Sequence, residues 1–229
     1  MLNFSRLEQS ELETTPFEWK FIDQLFAAED AAAIAATFPR DHFKDVAGYD
    51  GEKGYIYASR SLVHMGATSP SHADHLSAPW RALAADLVSP AYRAAMSKLT
   101  RRDLSACPME VNVIHYGPGA WLGPHLDLKA KLATHVLYFN EEWRREDGGC
   151  LGILGSSNPA DLVAEIDPIV GNSALIVRSE KSWHTVSRVD SRCRLSRRSM
   201  NVIFHEPGSI STMWPPSAKP QLHDYVEAG

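Results

Sequence analysis

Two histidines and one aspartate have the types and the spacing to hold one metal ion. A single residue separates His125 from Asp127, and His184 follows downstream in the segment 182–186. Residues i and i+2 of an extended segment point to the same side, so His125 and Asp127 can reach one ion together, and His184 must arrive from a neighbouring strand. Two imidazoles and one carboxylate leave adjacent coordination positions open. Non-haem Fe(II) uses this ligand pattern to bind a co-substrate and O₂, so the triad predicts metal-dependent oxidation.

A second His-x-Asp pair competes with this assignment. His72 and Asp74 have the same spacing, and His75 adds a further imidazole. They follow the segment 68–71, a polar stretch with a proline that predicts a loop, and no strand pattern continues from it. The strand patterns around His125 favour the first pair.

Those strand patterns are short, rich in β-branched residues and separated by Gly, Pro and Asp turns. Short strands at this spacing predict an all-β sandwich or barrel, of which the jelly roll is one form. By strand phase we expect neither His115 nor His205 to add a fourth metal ligand, because each is expected to point away from the site. The predicted strands cover residues 110–116, 134–140, 150–154, 173–177, 182–186 and 199–205.

The first hundred residues have a mixed pattern. An alternating pattern of side chains predicts strands over 17–22 and 54–60. An alanine-rich segment predicts a helix over 27–38 that ends before Pro39. Two further helices are predicted over 80–88 and 91–99. We expect a single domain over 1–229, with a helical/β flank at 1–105 packed on a β core at 106–210.

From Glu110 to His205 the chain resembles the Fe(II)/2-oxoglutarate dioxygenases, and within them the prolyl-4-hydroxylase-like branch. The resemblance implies a mainly β fold with flanking helices, the double-stranded β-helix or jelly roll. It also implies His125, Asp127 and His184 as ligands of Fe(II), with 2-oxoglutarate and O₂ as co-substrates and no catalytic residue beyond the ligands. The matching motifs, in the family's order, are Tyr116, His-Leu-Asp at 125–127, Tyr-Phe-Asn-Glu-Glu-Trp at 138–143, Asp-Gly-Gly at 147–149, Trp-His-Thr-Val at 183–186, and an arginine before Ser-Met-Asn-Val at 199–202.

The far carboxylate of 2-oxoglutarate needs a buried cation, and the planar fork of arginine binds a carboxylate bidentately. In the family this arginine stands on the strand after the distal histidine. Arg194, Arg197 and Arg198 all compete here. Arg197 shares an extended face with Ser199 and Asn201 and matches the family's offset, so Arg197 is the expected clamp and Arg194 the fallback.

Two tyrosines and four other residues complete the expected site. The resemblance implies that the hydroxyls of Tyr116 and Tyr138 contact 2-oxoglutarate. Strand phase and proximity to the distal ligand suggest residues that face the substrate, namely Asn112, Arg178, Trp183 and, more loosely, Arg60.

The resemblance implies hydroxylation of an unactivated C–H bond, and three functions remain open. A compact chain without a peptide-binding repeat favours a small-molecule substrate, such as an amino acid or a specialised metabolite. A peptidyl-prolyl or other protein hydroxylase is the alternative. A non-oxidative, cupin-like metal-binding jelly roll is the alternative from another class, and the arginine clamp and the tyrosines distinguish it, because such a protein needs no dicarboxylate site.

Composition sets bounds on partners and location. The formal net charge of −5 gives no indication of nucleic-acid binding. Three scattered cysteines (Cys107, Cys150 and Cys193) form neither a zinc motif nor a disulfide framework. Since neither a signal peptide nor a membrane-spanning apolar run is evident, we expect a cytoplasmic monomer or homodimer without a membrane partner.

Overall fold

Strands dominate the computed structural model, which describes residues 1–49 and 54–225. The helices are α1 (Phe4–Glu8), α2 (Ala28–Ala36), α3 (Ala78–Val88) and α4 (Pro90–Thr100). The strands are β1 (Trp19–Ile22), β2 (Lys44–Tyr49), β3 (Gly54–Val63), β4 (Met109–Tyr116), β5 (Trp121–His125), β6 (Lys131–Tyr138), β7 (Leu151–Leu154), β8 (Leu162–Ile166), β9 (Ser173–Val177), β10 (His184–Val186) and β11 (Arg197–His205).

These strands form one antiparallel, nearly closed barrel-like sheet. Its order is β1-β9-β6-β11-β4-β3-β5-β10-β7-β8, with β2 paired to β3. The predicted mainly β jelly roll with flanking helices is confirmed. The flank does more than pack on the core, because β3 lies between β4 and β5 inside the sheet and β1 extends it beyond β9.

Most of the predicted elements are present, with shifted ends. The strand at 173–177 has the predicted bounds, and the two helices after residue 77 each begin and end within two residues of their predicted positions. Sequence patterns missed α1, β2 and β8. The outer residues of β2 and β8 are exposed, so neither strand shows the alternation by which a half-buried strand is recognised.

Serine and proline determine where α3 and α4 begin. The side chain of Ser77 accepts a hydrogen bond from the backbone N–H of Trp80, and that of Ser89 accepts one from Tyr92. Each helix carries a proline in its first turn, where no backbone donor is needed. Since Ser89 both ends α3 and caps α4, the two helices meet at a sharp corner.

Alternation along the central strands separates two apolar clusters. Val111 and Val113 of β4 face outward and pack with the helices, whereas Ile114 and Tyr116 face the barrel interior. The outward residues of β11 at 200, 202 and 204 likewise join the helical cluster. The interior faces of both strands are thereby left for the cavity described below.

The helical cluster is centred on the fully buried indole of Trp80. Its ring centroid lies 5.5 Å from that of Phe38 and 4.9 Å from that of Phe139, and its Nε1 donates to the carbonyl of Ile34 at 3.0 Å. In the described part of the chain, none of the helices has the length and apolar character needed to cross a membrane.

Trp80→Ala should therefore destabilise the protein strongly without touching the cavity. Truncating a buried aromatic residue leaves a void and an unsatisfied carbonyl, at a cost of about 3–5 kcal/mol. Urea unfolding measures this loss. Leu162→Ala, on the exposed part of β8, is the control and should change the free energy of unfolding by less than about 0.5 kcal/mol. Equal unfolding midpoints for the two variants would contradict the assigned core.

Candidate active site

The structure brings His125, Asp127 and His184 together inside the barrel. His184 stands opposite His125 in the β10–β5 pairing, and their ring centroids are 4.1 Å apart. One ligand atom from each of the three residues lies within 4.8 Å of the others, and all three side chains are buried. The expected extended geometry holds only in part, because β5 ends at His125 and Asp127 lies in the following loop.

Backbone carbonyls orient both imidazoles. The Nδ1 of His125 lies 3.0 Å from the carbonyl oxygen of Gly123, and the Nδ1 of His184 lies 2.9 Å from that of Ser182. A carbonyl only accepts, so each Nδ1 carries the proton and each Nε2 is the ligand atom. Metal-binding histidines are commonly oriented by such a hydrogen bond.

Asp127 is an ionised carboxylate held by two donors. Thr134 donates to its Oδ2 at 2.8 Å, and the ammonium group of Lys131 donates to its Oδ1 at 2.6 Å. Burial acts to raise the pKa of Asp127, but Lys131, His184 and His125 outweigh it, so that the pKa lies well below its usual value. A buried carboxylate beside two oriented imidazoles fits the donor set that Fe(II) requires.

Of the three competing arginines, only Arg197 lines the same cavity as the triad. Arg194 is exposed, and Arg198 points to the opposite face of β11, where its guanidinium carbon lies 5.3 Å from the ring centroid of Phe38. Within the described residues, no carboxylate forms an ion pair with the buried Arg197 guanidinium. A buried cation without an anion is costly, and this position therefore suits an anionic ligand.

Neutral groups hold the guanidinium of Arg197 in place. Its Nε donates to the carbonyl of Gly149 and its Nη1 to the hydroxyl of Ser199, both at 2.6 Å. The guanidinium carbon lies 4.9 Å and 5.2 Å from the ring centroids of Tyr116 and Tyr138. These contacts orient the Arg197 side chain but do not neutralise its positive charge.

The hydroxyl of Tyr138 is buried and has no hydrogen-bond partner within the described residues. Burial raises the pKa of the Tyr138 phenol, although the nearby positive charge of Arg197 acts to lower it. Burial also raises the pKa of Tyr116, to about 12. Both phenols therefore keep their protons at neutral pH. An unpaired buried donor beside an arginine fits a carboxylate oxygen, because leaving such a group unpaired is unfavourable.

The Asp-Gly-Gly motif explains how the Gly149 carbonyl reaches Arg197. Gly148 and Gly149 have φ values of +69° and +68°. A Cβ on Gly148 would lie 2.0 Å from the carbonyl oxygen of Arg188. Only glycine therefore fits this turn, which sets the direction of the Gly149 carbonyl.

The triad and Arg197 open on one cavity of about 430 Å³. Interior residues of β4 and β11 line it, and so does the segment 212–213 of the tail. Lining residues include Lys44, Val46, Tyr55, Tyr57, Glu110, Asn112, Ile114, Tyr116, Leu122, Lys131, Thr134, Val136, Asn201, Ile203, His205, Thr212 and Met213.

Of the four expected substrate residues, only Asn112 is among those that line this cavity. Arg178 instead donates to the backbone carbonyl of Asp127 at 3.3 Å and pairs with Glu180. Arg60 is directed to Asp41, and the half-buried Trp183 lies outside the lining. Arg178 and Trp183 are close in sequence to His184, but their side chains do not line the cavity.

The expected orientation of His205 is wrong, whereas His115 does point outward, against Tyr225. His205 lines the cavity and lies 3.6 Å from the carboxylate of Glu110. His205 lies eight positions after Arg197, an even offset, so a regular strand places both on one face. His205 is nevertheless not in the triad's ligand group.

Sequence reasoning missed several cavity residues. Thr134 and Lys131 were detectable in principle, since Thr134 shares a face of β6 with Tyr138 and Lys131 follows Asp127 by four residues. Lys44 lies on the unpredicted β2. Thr212 and Met213 lie in a tail that has no strand or helix pattern.

Comparison with known proteins agrees with this architecture. Residues 111–205 match the family model described as the 2OG-Fe(II) oxygenase superfamily. Prolyl 3-hydroxylase OGFOD1 of Xenopus laevis is 30% identical over 111 residues, which are 46% of this chain but only 22% of that protein. The chain therefore spans about a fifth of the length of this curated relative.

Solved structures share the fold at low sequence identity. The Pseudomonas putida prolyl-4-hydroxylase superposes with a TM-score of 0.55 at 20% identity, covering 83% of this chain and 93% of that one. SnoN, a non-haem α-ketoglutarate-dependent epimerase from nogalamycin biosynthesis, gives a TM-score of 0.54 at 13% identity, covering 95% and 91%. Residues 111–205, which include the triad and Arg197, are thus similar to the 2OG-Fe(II) oxygenase superfamily, and this similarity implies Fe(II), 2-oxoglutarate and O₂.

Proposed function

We propose that the protein is an Fe(II)- and 2-oxoglutarate-dependent hydroxylase acting on an unactivated C–H bond of a small molecule. The observation that carries this proposal is the pairing of two features in one cavity. A buried 2-His-1-carboxylate triad lies beside a buried arginine that has no carboxylate partner among the described residues. A metal-binding module without oxidation has no need of the second feature.

The residues around the cavity have different roles. His125, Asp127 and His184 would hold Fe(II), which together with its co-substrates supplies the oxidation of an unactivated C–H bond. Arg197 binds the far carboxylate of 2-oxoglutarate, and Tyr138 donates its proton in a hydrogen bond to the same group. Lys131 and Thr134 hold Asp127 in its ionised, oriented form. The apolar side chains of Ile114, Leu122 and Val136 exclude water around them.

The contacts of the tail with the cavity lining and the size of the cavity support a small substrate. The hydroxyl of Ser211 donates to the carboxylate of Glu110, and Trp214 donates through Nε1 to the Oδ1 of Asn112 at 2.7 Å. The Lys44 ammonium lies 4.2 Å from the ring centroid of Trp214. These contacts hold the tail against residues that line the cavity, and a volume of about 430 Å³ is within the usual range for small-molecule sites.

The cavity wall also offers charged groups of both signs. Glu110 is buried, which acts to raise its pKa, but the nearby His205 and the hydrogen bond from Ser211 outweigh burial and lower the pKa. Lys44 and Lys131 lie on the same wall. A zwitterion such as an amino acid complements this mixture better than an apolar metabolite does.

A peptidyl-prolyl or other protein hydroxylase is the second candidate. The curated relative and the Pseudomonas structure are prolyl hydroxylases by name, and a peptide side chain could enter the same cavity if the tail moved. Succinate release from the iron-loaded protein distinguishes the two, measured over amino acids, small metabolites and proline-containing peptides. Turnover confined to peptides would overturn the small-molecule assignment.

Asp127→Ala should abolish iron-dependent 2-oxoglutarate binding. The variant removes the only carboxylate of the triad, and two imidazoles alone hold Fe(II) weakly. The measurement is the weak visible absorption that appears when a 2-oxo acid binds the Fe(II) protein without oxygen. Asp74→Asn, in the competing His-x-Asp pair, is the matched control and should retain the band. Loss of the band in Asp74→Asn but not in Asp127→Ala would show that iron binds at the competing His-x-Asp pair and not at the triad.

Arg197→Ala should mainly raise the KM for 2-oxoglutarate and leave iron in place. Removing one partner of a buried charge pair costs about 2–5 kcal/mol, which is roughly a thirty-fold or larger rise in KM. Steady-state succinate kinetics measure it. Arg194→Ala is the control, because the side chain of Arg194 is exposed. The KM of this variant for 2-oxoglutarate should equal that of the wild-type protein. An unchanged KM for 2-oxoglutarate in Arg197→Ala would contradict the assignment of Arg197 as the residue that binds its far carboxylate.

A further inference from the structure

A second group of metal-ligating side chains lies outside the cavity. Asp41 and His42 precede β2, and His75 ends a short 3₁₀ turn at 73–75. Their ligand atoms all lie within 4.8 Å of one another. Of the competing segment 72–75, only His75 belongs to this group, and its partner there is Asp41.

The distances within this group are close to those of a coordination sphere. The Oδ2 of Asp41 lies 2.8 Å from the Nδ1 of His42 and 3.1 Å from the Nδ1 of His75. In a tetrahedral zinc site with bonds of about 2.0 Å, neighbouring ligand atoms are about 3.3 Å apart. Small side-chain movements would bring the three ligand atoms to that spacing around one ion.

Surrounding residues fix the direction of each ligand. The Nε of Arg60 donates to the backbone carbonyl of Asp41 at 3.0 Å and to its Oδ1 at 3.2 Å, so the other oxygen, Oδ2, faces the histidines. The ring of His72 stacks on that of His42 at a centroid distance of 3.9 Å. Ligands oriented by neighbouring groups in this way are typical of built metal sites.

The backbone here takes an uncommon conformation. His42 has φ +60° and His72 has φ +52°, in the left-handed region that non-glycine residues seldom occupy. Each such residue is unfavourable unless surrounding contacts compensate. Of the two residues, His42 belongs to the ligand group, and His72 packs against it.

We propose that Asp41, His42 and His75 form a second divalent-cation site, separate from the iron triad, that takes Zn²⁺. Two imidazoles and one carboxylate suit this borderline cation. The His75 side chain is 57% exposed, so solvent completes the coordination. The site anchors the loop that enters β2, and β2 carries Lys44 and Val46 to the cavity.

The test uses the full chain with both imidazoles of the triad removed. In a His125→Ala/His184→Ala background, isothermal titration after treatment with chelator should show one equivalent of Zn²⁺ per chain, and Co²⁺ in its place should give a visible d–d spectrum. Since only Asp127 of the triad remains, the result is independent of the proposed hydroxylase activity. Absence of saturable Zn²⁺ binding in this background would overturn the proposal.

Matched variants in the same background identify the ligands. His75→Ala, at an exposed position, should weaken Zn²⁺ binding about tenfold or more, and so should His42→Asn, because asparagine tolerates positive φ. Asp74→Asn, one residue from His75 but outside the cluster, should leave the affinity unchanged. Circular dichroism without metal establishes that each variant is folded. Wild-type affinity in His75→Ala, or a loss confined to Asp74→Asn, would contradict the assigned ligands.

Discussion

The buried guanidinium of Arg197 is the interaction on which the rest of the site depends. A charge removed from water is tolerated only where its neighbours are arranged for it. Here the carbonyl of Gly149 and the hydroxyl of Ser199 accept its hydrogen bonds, and two tyrosine rings flank it. The Gly149 carbonyl in turn requires a turn that only glycine at 148 can form. An anion from solution would supply the missing charge, which would link the proposed 2-oxoglutarate binding to the local fold.

The period of two along β4, β6 and β11 connects this site to the stability of the molecule. One face of β11 carries Arg197, Ser199 and Asn201, and the other carries the apolar residues that pack against α3 and α4. A one-residue slip of this strand would expose the core and turn Arg197 out of the cavity at once. The helices α3 and α4 therefore hold the register on which the proposed 2-oxoglutarate clamp depends, although they do not line the cavity.

The sequence was informative where function depends on local spacing. The separation of His125 from Asp127, the order of the motifs, and the parity that selects Arg197 over Arg198 all concern residues on one or two strands. Residues brought together over long range were not predictable in this way. Trp214 reaches Asn112 across 102 positions, and Lys44 stands on a strand whose exposed residues show no pattern. The orientation of His205 has a local explanation, because it lies eight positions after Arg197 and the period of two places both side chains on the cavity face.

The two metal-ligand groups contain the same residue types, and burial separates their chemistry. In the triad all three side chains are buried, and Lys131 and Thr134 hold the carboxylate from inside the barrel. In the group at Asp41 the ligands are half-buried or exposed, and the buried Arg60 places a positive charge beside the carboxylate. Solvent can reach an ion bound at the exposed group, which suits the proposed loop-anchoring Zn²⁺. The buried triad shields a bound metal from water, which suits the proposed oxidation.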